Sequence, residues 1–166
     1  MKYLRISFGI FLALAFSRFI PHPPNFTSLL ALTFYVPAIL GIRYIPALII
    51  SFLITDLIIG FHSVMFFTLG SVLFIGLLSQ YFLKNFTSRI AGSLFGVFLF
   101  FLITNFGVWS LGSYGYSYEG LVICYTFALP FLAYNFISTL LFASIVEFCI
   151  YRKVLFKNYL NKKIKI

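Results

Sequence analysis

Three short polar clusters interrupt an otherwise apolar chain: Arg18 to Asn25 (RFIPHPPN), Asp56 to His62 (DLIIGFH) and Asn105 to Trp109 (NFGVW). Their side chains suit recognition by hydrogen bonding and stacking. Amides read donors and acceptors, a neutral imidazole offers one of each, and an indole adds a flat face with one N–H. Covalent chemistry has no such footing: G-x-S-x-G turns, phosphate-cradling glycine loops and nucleophile–base pairings are absent from the sequence. The expectation is therefore a small-solute site, not an enzyme, and without a cofactor.

Each cluster also admits a plainer reading. Pro21, Pro23 and Pro24 stiffen the connection that carries His22 and Asn25; they hold both over a cavity, or they merely end a helix while Arg18 snorkels toward the interface. Asp56 is the only acid in the first 118 residues, and a lone carboxylate facing lipid would cost a few kcal/mol. It must turn inward, toward Arg18 or His62, as an ion pair that locks helices or as an acceptor for a ligand. Asn105 and Trp109 lie one turn apart on one helical face, although tryptophan also anchors at membrane interfaces without any ligand. The stretch from Gly112 to Gly120 alternates flexible residues with Tyr114, Tyr116 and Tyr118 and carries Glu119. It forms a lid over the site, or an aromatic belt. His22, His62, Asp56 and Glu119 fall on one side, but their spacing matches no tight metal-binding motif. No metal is expected, and a membrane enzyme or metal-handling protein using His22, His62 and Asp56 is the rival reading.

The elements that must position these residues follow from composition. With 62% hydrophobic, 22% aromatic and 9% charged residues among 166, the chain could not cover its apolar surface in water, which makes it an integral membrane protein. Apolar runs span residues 3–20, 28–41, 45–60, 63–83, 89–110 and 120–151. They are continuously apolar, without the period-two alternation of a barrel strand, so they read as helices. The predicted fold is an all-α bundle of six transmembrane helices over residues 1–151, followed by a basic tail over 152–166. With both termini in the cytoplasm, eleven of the twelve Lys and Arg residues lie inside and only Arg18 lies outside, as the positive-inside bias requires. The three polar clusters then emerge together on the outer face.

Local signals set the boundaries. Ser28 and Ser88 are positioned to cap the second and fifth helices, Pro46 suits a first turn, and Gly41 and Gly60 end the runs before them. The second and third runs are short for a bilayer core of about 30 Å and alternatively form a re-entrant hairpin. The last run, roughly 48 Å long if straight, must tilt, bend at Pro130 or project into the cytoplasm. The tetrapeptide Asn-Phe-Thr-Ser recurs at Asn25 and Asn85, a faint sign of an inverted repeat. Ala13 and Ala15 form an A-x-A arrangement, yet the apolar run continues to Ile20, so a membrane helix is expected there rather than a cleaved leader. Cys124 and Cys149 sit too far apart on one helix to bridge.

The formal charge of +9 is concentrated after the last run, where Arg152, Lys153, Lys157, Lys162, Lys163 and Lys165 suit anionic lipid. No basic patch interleaves with aromatics on a soluble module, so nucleic acid is not an expected partner. Small residues recur at four-residue spacing as Gly9, Ala13 and Ser17, and again as Gly92 and Gly96. Such stripes pack helices within a bundle or dock a partner, and a scaffold protein built on them is a third reading.

The strings Pro21-His-Pro-Pro-Asn-Phe26, Asp56 with Gly60 and His62, Asn105-Phe-Gly-Val-Trp109, Gly120-Leu121 with Cys124-Tyr125, and Pro130-Phe131 resemble an uncharacterised family of small bacterial membrane proteins. That family is similar in turn to the substrate-binding S components of energy-coupling factor transporters, over nearly the whole chain. The resemblance implies a six-helix protein of the bacterial inner membrane that captures a vitamin-like solute from outside. It implies docking onto a transmembrane coupling protein that works with ATPase subunits. Gly9, Ala13 and Ser17 are similar to the helix-one motif of that contact, but lack the usual alanine pair. Arg18, His22, Asn25, Asp56, His62, Asn105, Trp109, Tyr116 and Glu119 are the expected solute-binding residues.

Overall fold

The computed structural model describes the backbone of residues 1–163 and the side chains of residues 1–154. Lys157, Lys162, Lys163 and Lys165 of the expected basic tail have side chains outside the described residues. Among the described residues seven α-helices follow one another: α1 (Lys2–Phe19), α2 (Leu29–Leu40), α3 (Ile45–Ile59), α4 (Met65–Leu78), α5 (Phe86–Ser110), α6 (Tyr118–Phe127) and α7 (Leu129–Lys163). No strand occurs among the described residues. Short 3-10 turns at Ile42–Tyr44 and Ser79–Phe82 lengthen the start of α3 and the end of α4.

Four stretches are long and apolar enough to cross a membrane: Ile42–Ile59, Met65–Phe82, Phe86–Ser110 and Leu129–Val154. The other two expected spans are weaker. α1 carries Lys2, Arg5 and Arg18, and α2, with 12 residues, rises only about 18 Å.

Several boundaries lie where sequence chemistry puts them. Gly41 and Gly60 close α2 and α3 at φ of +97° and +117°, a region that L side chains avoid and glycine enters freely. Pro46 occupies the first turn of α3, where its missing N–H costs nothing. Ser28 stands at the N-cap position of α2 as expected, though its side chain makes no cap bond, and at α5 Asn85 takes the place expected of Ser88. Asn85 starts α5, its Oδ1 accepting from the Ser88 N–H at 2.8 Å, because an Asx side chain reaches the third helical N–H. The Ser28 hydroxyl lies 2.7 Å from that of Ser17 and makes no cap. The repeated tetrapeptides also differ, since Asn25 sits at φ +63° whereas Asn85 is extended at φ −153°.

The last apolar run breaks at Ala128, between α6 and α7, two residues before Pro130. Pro130 has no N–H to offer the Thr126 carbonyl, so the ladder is interrupted there.

Helices α1 to α5 alternate in direction, and α6 and α7 both run antiparallel to α5. Tyr3 stacks on Tyr44 at 4.9 Å and donates to the Arg43 carbonyl, while Arg18 meets Asp56, so α1 and α3 run parallel, with their ends together. Gln80 donates to the Pro37 carbonyl at 2.8 Å, setting the end of α4 beside the end of α2. One apolar core centres on Leu14, Leu48, Phe52 and Val72, and a second on Leu30, Phe34, Ile75 and Val97.

A polar triad joins three helices at the end of the bundle opposite the Arg18–Asp56 pair. Arg89 of α5 holds Glu147 of α7 through two bonds, Nε to Oε1 at 2.6 Å and Nη2 to Oε2 at 2.7 Å. Tyr35 of α2 donates to the same carboxylate at 2.9 Å. The forked guanidinium matches both carboxylate oxygens, which lets a charge remain inside an apolar bundle.

Close helix approach depends on glycine at α5. A Cβ on Gly92 would lie 2.5 Å from the Phe82 ring and 2.7 Å from that of Phe34, and one on Gly96 would lie 2.8 Å from Ile75. Those glycines serve packing inside the bundle. Gly9 instead has nothing within 4 Å. Gly92→Ala is expected to lower stability by about 1–3 kcal/mol through overpacking, while Gly9→Ala stays within about 0.5 kcal/mol. Thermal unfolding in detergent measures both, and equal losses would contradict this packing.

Candidate functional site

A cavity of about 500 Å³ opens among the ends of α1, α3 and α5, the start of α4 and the junction of α6 with α7. Its polar wall is drawn from stretches far apart in the chain. His22 and Asn25 come from the connection after α1, His62 from the connection after α3, Thr68 from the start of α4, Thr104 and Asn105 from α5, and Asn135 from α7. Phe52, Phe100, Phe101, Phe127 and Phe131, with Tyr114, supply most of the apolar surface.

Arg18 is fastened before it reaches any solute. Its Nη2 donates to Asp56 Oδ1 at 2.5 Å, and its Nη1 to Thr55 Oγ1 at 2.7 Å and to the Phe52 carbonyl at 3.5 Å. The guanidinium also lies 4.6 Å from the Phe52 ring centre. The Asp56 side chain is 1% exposed and that of Arg18 14% exposed. Both sequence-derived partners of Asp56 are therefore in place, because His62 Nε2 lies 3.5 Å from Asp56 Oδ2. That oxygen is buried without a hydrogen bond. Asp56 stands behind the wall and organises Arg18 and His62, rather than lining the cavity itself.

The connection after α1 is shaped by local bonds. His22 Nδ1 lies 2.7 Å from the Pro23 carbonyl oxygen, and Asn25 takes a left-handed conformation at φ +63°, which asparagine tolerates better than most residues. The buried Ser17–Ser28 contact ties this connection back onto α1.

Asn105 lines the cavity with one amide hydrogen given to the Phe101 carbonyl at 2.8 Å. Trp109 is outside the lining. Its indole N–H donates to the Ser117 carbonyl at 3.2 Å, and its ring lies 5.6 Å from that of Phe106. The indole thus pins the 111–117 loop to α5 instead of facing the solute space. Within that loop Tyr114 reaches the cavity, whereas Tyr116 and Glu119 are exposed and outside its lining. Glu119 accepts from its own backbone N–H and from the Ser117 hydroxyl at the start of α6, which holds its carboxyl below the usual range.

Arg18, His22, Asn25, His62 and Asn105 thus share one cavity, Asp56 supports two of them, and Trp109, Tyr116 and Glu119 stand apart. Among the small-residue stripe of α1, Gly9 and Ala13 are exposed while Ser17 is turned inward. Sequence reasoning passed over Asn135, Thr68, Thr104 and Thr27. Asn135 did carry a signal, being the only side-chain amide between Cys124 and Tyr151. The threonines carried none, since threonine is common in apolar helices. Among the described residues no group of three His, Cys, Asp or Glu side chains is placed to hold a metal ion.

Residues 2–159 match the model of a family of unknown function, DUF6580, and the chain belongs to that family. No curated protein and no solved structure matches it.

Removing one partner of the Arg18–Asp56 pair leaves a charge in the apolar bundle. Asp56→Ala and Arg18→Met are each expected to cost about 3–5 kcal/mol. The double variant should cost clearly less than the two losses added, because neither charge is then left alone. Thermal unfolding of the four proteins measures this, and additive losses would contradict a coupled pair.

Proposed function

We propose that this protein is a membrane-embedded subunit that binds a small, vitamin-like solute, captured from the outer face as the recognition step of an importer. One observation carries the reading: the separated polar clusters converge on a single cavity of about 500 Å³, a volume typical of small-molecule sites. Aromatic walls with a few amides and imidazoles suit reversible binding, in which nothing is cleaved or transferred.

Orientation enters through charge. Lys2, Arg5, Arg43, Lys84, Arg89, Arg152 and Lys153 all belong to the end opposite the cavity, and the positive-inside bias assigns that end to the cytoplasm. On this reading the chain crosses the bilayer six times with both termini inside, and α1 and α2 are the short or charged spans. Energy for release would come from a partner module with ATPase subunits, since the chain carries no phosphate-binding glycine loop of its own. The exposed Gly9 and Ala13 face of α1, with open space above Gly9, is the proposed contact for that module's membrane subunit.

The test is a search for solutes that accompany the protein through purification in mild detergent, released by denaturation and identified by mass spectrometry. The wild-type chain should carry one enriched small molecule. A variant with Asn105→Leu and Asn135→Leu, shown by its thermal transition to be folded, should carry about tenfold less or lower still, the effect of losing one or more buried hydrogen bonds. Identical profiles, or no solute with either protein, would contradict the reading.

A further inference from the structure

We propose that the solute of this cavity is an uncharged, ring-shaped hydrogen-bond donor: a heteroaromatic compound bearing N–H or NH2 groups. The inference rests on the solute-binding reading above and names its substrate class. It follows from which hydrogens on the cavity wall are already spent.

A backbone carbonyl can only accept. His22 Nδ1 lies 2.7 Å from the Pro23 carbonyl, so the neutral ring carries its proton there and leaves Nε2 as a bare lone pair. Asn105 uses an Nδ2 hydrogen on the Phe101 carbonyl, which identifies the other amide atom as oxygen, and that oxygen takes no hydrogen from the described residues. Thr68 and Thr104 give their hydroxyl hydrogens to the Val64 and Phe100 carbonyls at 3.3 and 2.8 Å, and keep their lone pairs. Four groups from three separate segments therefore meet a solute as acceptors. The Asn25 and Asn135 amides and the Tyr114 hydroxyl hold both capacities, as does the Thr27 hydroxyl, which accepts from the Leu29 N–H and keeps its own hydrogen, so these groups do not reverse the balance.

Charge is excluded from both sides. No carboxylate lines the cavity, because Asp56 is behind its wall and Glu119 and Glu147 are elsewhere. A cationic solute would lose its hydration beside Arg18 and find no free counter-charge. An anionic solute would face lone pairs, and the guanidinium has its charge answered by Asp56 and three of its five N–H donors on Asp56, Thr55 and the Phe52 carbonyl. Phe100, Phe101, Phe127 and Phe131 offer ring faces and edges, which favour a flat aromatic body over a flexible aliphatic one.

Four matched fragments test the class on the full chain in detergent, stripped of copurified solute, in mildly alkaline buffer. They are 4-aminopyrimidine, pyrimidine, pyrimidine-4-carboxylate and 4-(trimethylammoniomethyl)pyrimidine, the last a permanent ammonium. Calorimetric titration should show 4-aminopyrimidine binding about tenfold or more tightly than pyrimidine, as one or more extra hydrogen bonds to the part-buried acceptors of the wall require. Both charged fragments should bind more weakly than 4-aminopyrimidine. Asn105→Leu should narrow the tenfold gap to about threefold or less. A tightest-binding carboxylate or ammonium, equal affinities, an unchanged gap in Asn105→Leu, or no binding by any fragment would overturn the proposal. A charged winner removes this class and leaves solute binding standing, whereas four silent fragments with a solute-free extract remove both.

Discussion

An ionised carboxylate inside an apolar bundle must find a partner, and the Arg18–Asp56 contact is where this chain meets that demand. The cost of leaving either charge alone in a low-dielectric setting exceeds most packing terms. The pair consequently sets the relative height of α1 and α3 and holds the guanidinium against Phe52. The cavity owes its neutral character to the same contact, since a free arginine or a free aspartate on its wall would have made it a site for ions. His62, 3.5 Å from the second carboxylate oxygen, stands where this supporting pair meets the solute space.

The bundle repeats the solution at its other end. Arg89, Glu147 and Tyr35 close a triad among α5, α7 and α2, so each end has a charge contact that joins helices distant in sequence. Between them the chain relies on close packing of apolar side chains, with Gly92 and Gly96 admitting Phe82, Phe34 and Ile75. The contrast with Gly9 is informative. Small residues at the same four-residue spacing pack internally on α5 against Phe82, Phe34 and Ile75, whereas on α1 Gly9 and Ala13 lie open and only Ser17 turns inward.

Much of the architecture was legible before any coordinates. Runs of apolar residues with few charges gave the first five helices to within a few residues, while the last run broke at Ala128 and its helix continued through the expected tail to Lys163; Gly41, Gly60 and Pro46 marked ends for conformational reasons that are local to each residue. The convergence of Arg18, His22, Asn25, His62 and Asn105 followed from alternating helix direction, which sends every second connection to the same end. Legibility failed where a side chain had a choice of partners. Ser28 was as good a cap as Asn85 on local grounds, but a buried hydroxyl at Ser17 claimed it. Trp109 shared a face with Asn105, yet its indole turned to the Ser117 carbonyl, and Tyr114 took the place expected of Tyr116.

Composition, periodicity and turn chemistry by themselves determined that the chain is helical, apolar enough for a membrane, and polar only in a few clusters at predictable ends. Those properties depend on each residue and its near neighbours, which sequence order supplies directly. Tertiary structure alone decided that Asp56 supports the cavity instead of lining it, that Asn135 and three threonines join its wall, and that Glu147 is answered by Arg89. Each of these depends on how helices far apart in the chain rotate about their axes and slide against one another, and that is settled by the packing of the whole bundle.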